Sequence, residues 1–198
     1  MNLLTESLTN IARKQNKKFI EHFANECKLY YDVFPSSFLQ ELISCLDSHP
    51  WKHDIARKTQ SYGMPLLEAS SYYHPSSRHI PEVFQKLFSF LLVEGIIPRL
   101  PKGFTVNEYL PGQGIGFHKD KECLDLNCIV DISLLGSLFF HFRKGGTEWD
   151  VFLPENSILC FYGSLKNDWD HGIRPRKKDI VCGMPLDRSR RIACILRI

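Results

Sequence analysis

The chain of 198 residues has no long hydrophobic run. Its longest, Leu87 to Ile97, is interrupted by Ser89, Glu94 and Gly95, whereas a bilayer span needs about 20 mostly apolar residues. A membrane helix is therefore not expected. The opening residues Met1-Asn2-Leu3-Leu4-Thr5-Glu6 lack the basic and apolar segments of a secretory signal. Strong charge of either sign is missing too. The formal charge is only +3, so the whole molecule is no polyanion clamp, and a nucleic-acid contact has to come from a local patch. The seven cysteines are an odd number with no C-x-x-C pair, and several lie in apolar runs, where a free thiol packs as a small hydrophobe. A disulfide framework or zinc knuckle is disfavoured, and a reducing cytoplasmic or nuclear location is expected. No repeat or low-complexity stretch divides the chain, and 43% hydrophobic residues suit one substantial domain.

Residues 1–28 read as an N-terminal helical extension. Leu3, Leu4, Leu8 and Ile11, then Phe19, Ile20 and Phe23, recur at roughly helical spacing. The polar stretch Arg13 to Lys18 between them is a solvated helix face, with a nucleic-acid contact as the alternative. Residues 29–198 form the main domain. Leu29 to Phe34 reads as a strand. A helix follows Pro35, with Ser37 and Gln40 as its capping box and Phe38, Leu39, Leu42, Ile43 and Leu46 on its apolar face. Residues 53–79 carry strands and loops rich in polar and aromatic side chains. A second helix starts at Pro81, with Val83, Phe84, Leu87, Phe88, Leu91 and Leu92. After Gly103 come strands at Phe104–Tyr109, Cys128–Leu135, Leu138–Phe142, Trp149–Leu153, Ser157–Tyr162 and Ile192–Ile198. Helices first and strands second predict an α+β fold, its sheet folded into a sandwich or barrel.

His118-Lys119-Asp120 is the motif with the most chemistry in it. A His and an Asp two apart on a strand share a face. With one imidazole from a distant strand they would make two histidines and a carboxylate on one side of a metal, the usual holder of non-haem Fe(II). H-x-D by itself arises often by chance. His171, in Asp170-His171-Gly172-Ile173, can stand at the start of a strand. Iron that activates O2 needs electrons, and 2-oxoglutarate can supply them. Its carboxylates favour arginine, which binds them two-pronged. Arg191 and Arg197 are six apart on the last apolar strand and so share a face, where both need an anionic partner unless they merely flank the strand. Pro111 to Gly116 supplies glycines for a tight approach to the His118 strand.

The run Asn107-Glu108-Tyr109-Leu110-Pro111-Gly112-Gln113-Gly114-Ile115-Gly116-Phe117-His118-Lys119-Asp120 resembles the metal-binding strand of AlkB-family Fe(II)/2-oxoglutarate dioxygenases. Trp169 to Arg176 resembles the segment of that family's second metal histidine, and Arg191-x5-Arg197 its arginine pair. The resemblance covers residues 29–198. It implies a double-stranded β-helix (jelly-roll) core over about 104–198, with a nucleotide-recognition lid over about 52–80. It also implies Fe(II) on His118, Asp120 and His171, and 2-oxoglutarate held by Asn107, Tyr109, Arg191 and Arg197, with O2 as the oxidant. Ala193 departs from the pattern, since several members carry a polar Asn there.

The resemblance further implies oxidation of an alkyl group on a nucleic-acid base, taken out of its stack into a pocket of aromatic and basic groups. Arg57, Tyr62, Tyr72 and Tyr73 lie where the lid belongs and are the candidate substrate contacts, with a half-buried strand surface as the alternative. Arg174, Arg176, Lys177, Lys178, Arg188 and Arg190 are candidates for phosphate contacts or a solvated basic face. The expected reaction is removal of methyl or other alkyl groups from DNA or RNA by a monomeric enzyme. The alternatives are hydroxylation of a modified tRNA base, or hydroxylation or demethylation of a protein side chain. A non-catalytic module is disfavoured because triad and arginine pair are all present.

Overall fold

The computed structural model describes residues 7–53, 55–63, 79–120 and 128–198. The chain enters as helix α1 (Leu8–His22), capped where the Ser7 hydroxyl accepts the Asn10 N–H. Its polar middle is less solvated than its composition suggests, because Asn16 is fully buried. The Asn16 amide donates to the Phe152 carbonyl at 2.7 Å and accepts the Phe152 N–H at 2.8 Å. One side chain thus satisfies a backbone pair that an edge strand would otherwise leave open.

Strand β1 (Cys27–Tyr31) leads to α2 (Ser36–Asp47). The expected capping box does not form. Pro35 is already the N-cap, so Ser37 lies inside the first turn, and Gln40 donates to Ser44 instead. Then come β2 (Lys58–Gly63) and α3 (Glu82–Val93), with Pro81 just ahead of the helix rather than in it. The remaining elements are β3 (Gly103–Tyr109), β4 (Ile115–His118), β5 (Cys128–Leu135), β6 (Leu138–Lys144), β7 (Thr147–Leu153), β8 (Ser157–Tyr162), α4 (Gly163–Asn167), β9 (Asp170–Ile173), β10 (Lys178–Val181), β11 (Met184–Asp187) and β12 (Arg191–Arg197).

The strands build two antiparallel sheets, β1-β8-β5-β12-β3-β2 and β4-β9-β6-β7, with β10 and β11 as a separate hairpin. This is the sandwich that the strand pattern predicts, in the jelly-roll form that the resemblance implies. Side-chain alternation along β5 and β12 sorts the core into layers. Val130, Ile132, Leu134, Ile192, Cys194 and Leu196 face α2 and α3, among Leu42, Leu46, Phe84, Leu87 and Leu91. Ile129 and Ile195 face the second sheet, with Phe140, Phe142, Phe161 and Ile173. Phe19 of α1 and Phe23, its C-cap, join this inner layer, while Ile11 and Ala12 pack on Phe139 and Phe152. The helical extension is therefore packed onto the sandwich rather than loosely appended. The six described cysteines are free, and no described helix is long and apolar enough to cross a membrane.

Within the expected lid, β2 extends the large sheet by pairing with β3. Tyr72 and Tyr73 lie outside the described residues.

Candidate metal centre

His118 closes β4 and His171 is the second residue of β9, and the two are direct partners across that strand pair. The close approach depends on glycine. A Cβ on Gly114 would meet the Ile173 carbonyl oxygen at 2.2 Å, and one on Gly172 would meet that of Ile115 at 2.9 Å. Gly112, at φ +91°, makes the turn before β4. Asp120 is not on the strand, which ends at His118, yet its carboxylate comes back to the histidines. The ligand atoms of His118, Asp120 and His171 all lie within 4.8 Å of one another.

The surroundings orient one imidazole and bias the charge of the other two groups. His118 Nδ1 lies 2.8 Å from the Gly116 carbonyl, which can only accept, so Nδ1 donates to it and Nε2 is the atom left to face a metal. His171 is buried against Phe140 and Phe161, and burial together with neighbouring His118 pushes its pKa down to about 4. It is therefore a neutral imidazole near pH 7. Burial works to raise the Asp120 carboxyl, but the Arg197 guanidinium and then His171 outweigh it and hold it below the ordinary range. Arg197 Nη2 donates to Asp120 Oδ1 at 3.2 Å. The His118 and His171 imidazoles and the Asp120 carboxylate, gathered within 4.8 Å, suit a divalent cation with positions left open.

The cavity over this cluster lies between the two sheets. Its polar lining includes Arg57, Asn107, Tyr109, Asp131 and Arg197 besides the three residues that could hold a metal. Arg57 Nε donates to Asn107 Oδ1 at 2.9 Å, tying the expected lid to β3. Burial pushes the Tyr109 hydroxyl up to about 12, so it stays a neutral donor. Arg191 shares the strand face of Arg197 but is buried behind the lining, where its Nη2 donates to Asp131 at 2.8 Å and to Ser133 at 2.9 Å. Its Nε and Nη1 are buried without a partner among the described residues. A larger recess of about 380 Å³ beside His22, Glu26 and Trp169 holds no comparable donor set among the described residues.

Not every candidate residue arrives here. Tyr62 is a core side chain, 2% exposed, stacked on Phe104 at 4.8 Å and bonded to Gln60. It is absent from the cavity wall because its position on β2 faces α3. Most of the candidate phosphate contacts are committed to internal ion pairs: Arg174 to Glu148, Arg188 to Asp179, Arg190 to Asp47 and Glu108, and Lys178 to Asp187. Conversely, sequence reading passed over Asp131, although a lone carboxylate inside the apolar strand Cys128–Leu135 is itself a signal.

A model of the 2OG-Fe(II) oxygenase superfamily matches residues 27–197. The chain belongs to this superfamily. It is an enzyme class that uses Fe(II), 2-oxoglutarate and O2, and a two-histidine, one-carboxylate cluster is what such an enzyme needs. Among the chain's relatives are proteins named as ALKBH8 or an ALKBH8 homologue. The mouse tRNA (carboxymethyluridine(34)-5-O)-methyltransferase ALKBH8 is 37% identical over 103 residues, 52% of this chain and 16% of that protein. The chain thus spans only a small part of that relative. An uncharacterised protein of Acanthamoeba polyphaga mimivirus is 26% identical over 178 residues, covering 87% of this chain and 84% of the viral one. The solved structure of OsALKBH1 shares the fold at a TM-score of 0.65 and 16% identity, over 87% of this chain and 98% of that one.

Proposed function

We propose that this AlkB-like oxygenase removes methyl or other alkyl groups from nucleic-acid bases, with His118, Asp120 and His171 holding Fe(II). The observation that carries the metal assignment is their convergence within 4.8 Å beside an arginine that steadies the carboxylate. Bound Fe(II) with 2-oxoglutarate supplies the chemistry: O2 is activated while the co-substrate loses CO2 and becomes succinate. The residues of this chain do the rest. Arg197, Asn107 and Tyr109 orient the co-substrate in the cavity, and Arg191 neutralises its far carboxylate. Arg57, half-exposed and bonded to Asn107, links the co-substrate pocket to the substrate side. Phe140, Phe161 and Ile195 exclude water from the metal. Oxidation of an N-methyl carbon gives a hemiaminal, which releases formaldehyde and restores the base.

A second reading is hydroxylation of a modified tRNA base without dealkylation. It is favoured by the 37% identity to a mouse protein whose name describes a tRNA carboxymethyluridine methyltransferase. The test is a panel of methylated DNA, methylated RNA, tRNA and protein peptides incubated with the Fe(II)-loaded chain and 2-oxoglutarate. Formaldehyde with loss of a methyl group supports the first reading. A stable gain of one oxygen on tRNA supports the second. Turnover confined to peptides would overturn both. The free thiols suit a reducing compartment, cytoplasmic or nuclear.

A further inference from the structure

The far end of the cavity contains a carboxyl group where an anion is to be bound. Asp131 lines the cavity wall, and its side chain is 3% exposed. It touches Arg191, whose own side chain is 2% exposed and lies behind it. Asp131 and Ser133 both engage Nη2. A guanidinium has five N–H bonds, and those on Nε and Nη1 are left without partners in a buried place. An unpaired buried donor is costly, so the site is built for one more acceptor. Ala193, on the same strand face, offers no polar group of its own.

Two carboxylates around one buried guanidinium would leave a net negative charge in a low-dielectric site, which is expensive unless one of them takes a proton. Among the described residues no second cation is in contact with Asp131. From β12 it faces Arg191, with Cys194 nearby; from β3, Tyr109; from its own β5, Ser133; from β8, its partner Leu159, which is uncharged. Arg57, His118, Asp120, His171 and Arg197 line the same cavity, with Arg197 already bonded to Asp120. Burial pushes the Asp131 carboxyl above its ordinary range, and Arg191 only partly pulls it back.

We propose that Asp131 is a specificity-determining residue that governs access of the co-substrate's distal carboxylate to Arg191, and that it carries a proton when that carboxylate is bound. The proposal rests on the reading that Arg191 receives the distal carboxylate. Binding of 2-oxoglutarate then takes up a proton, so its affinity falls as pH rises, by up to about tenfold per pH unit. An acid without a distal carboxylate escapes this dependence.

The test is calorimetric and needs no turnover. The Mn(II)-loaded chain is titrated without oxygen, in two buffers of different ionisation enthalpy, with 2-oxoglutarate and with 2-oxopentanoate, which keeps the 2-oxo acid but lacks the distal carboxylate. The expected result is tighter binding of 2-oxoglutarate with more proton uptake than for 2-oxopentanoate. In Asp131→Asn the difference in uptake should vanish and 2-oxoglutarate affinity at pH 8 should rise about tenfold, one pKa unit of interaction. Equal proton uptake by the wild-type chain with both acids, despite tighter binding of 2-oxoglutarate, overturns the role of Asp131 alone. Equal affinity for both acids removes Arg191 from the distal carboxylate and overturns the reading beneath it. The wild-type comparison decides the matter even if the variant does not fold.

Discussion

The two ends of the cavity use the same residue type on the same strand face for different purposes. Arg197, 21% exposed, reaches over the two-histidine, one-carboxylate cluster and donates to Asp120, itself 11% exposed. Arg191 is closed in at 2% exposure with Asp131 at 3%. At the metal end the charges are arranged so that the carboxylate stays ionised and His171 stays neutral. At the far end a carboxyl is pushed the other way, towards its protonated form. A sequence spacing of six put both arginines on one face; what each one meets there decides whether it is a clamp or half of a buried pair.

Four changes would break or sharpen this contrast. The largest effect is expected from His171→Ala, which removes a metal donor. Metal affinity should fall by more than about 100-fold, beyond what loss of an outer partner costs, and turnover should vanish while circular dichroism stays native. Unchanged Mn(II) affinity would take His171 out of the site. Next, Arg191→Ala strands Asp131 in the core, and breaking a buried pair costs about 3–5 kcal/mol. Arg197→Ala should cost under about 1 kcal/mol of stability but weaken 2-oxoglutarate binding by about 10- to 100-fold, as loss of a charged hydrogen bond implies. Urea unfolding of both variants checks this, and equal losses of stability would erase the distinction between the two ends. Gly114→Ala forces a Cβ against the Ile173 carbonyl at 2.2 Å; it should cost about 1–3 kcal/mol and loosen the metal end, read as weaker Mn(II) binding.

The smallest effect is in pH dependence, where the ends should slope in opposite directions. The pKa of His171 falls from 6.5 in the unfolded chain to about 4 when folded. The unfolded state therefore binds more protons between those values, and the stability present above pH 6.5 is lost as pH falls towards 4. Asp120, lowered by Arg197, adds a loss in the same direction at still lower pH. Asp131 is raised, so its neutral form contributes at low pH and that contribution is lost as pH rises above the ordinary Asp value of 3.8. Unfolding of the metal-free chain across pH 4 to 8 should lose the first slope in His171→Ala and the second in Asp131→Asn.

Much of this was legible beforehand because it is local. The limits of β5 and β8 follow from their apolar runs, and α2 and α3 from helical spacing of leucines and phenylalanines. Where local reading missed, a neighbour had intervened. Pro35 took the N-cap that Ser37 was expected to fill, and Tyr62, read as a substrate contact, was drawn into the core by Phe104 and Phe84. The cations after Trp169 read as phosphate contacts because their acidic partners, Asp47, Glu108 and Glu148, are remote in sequence. Asn16 was concealed within a polar run, its role set by an edge strand 136 residues away.

The amino-acid sequence by itself determined the iron chemistry. His118, Asp120, His171 and the two arginines are all readable as residue types in an order that suits one site, and side-chain parity on a strand places Arg191 and Arg197 together without further help. Only the tertiary structure decided how those groups are charged. Burial, the cross-strand pairing of His118 with His171, and the reach of Arg197 to Asp120 set the protonation states. Desolvation and Coulomb interactions depend on distance through space, and spacing along the chain does not encode that distance. Asp131 is the clearest case: in the sequence a carboxylate set in an apolar strand with no partner in view, and in the fold an acid that lines the pocket and pairs with Arg191.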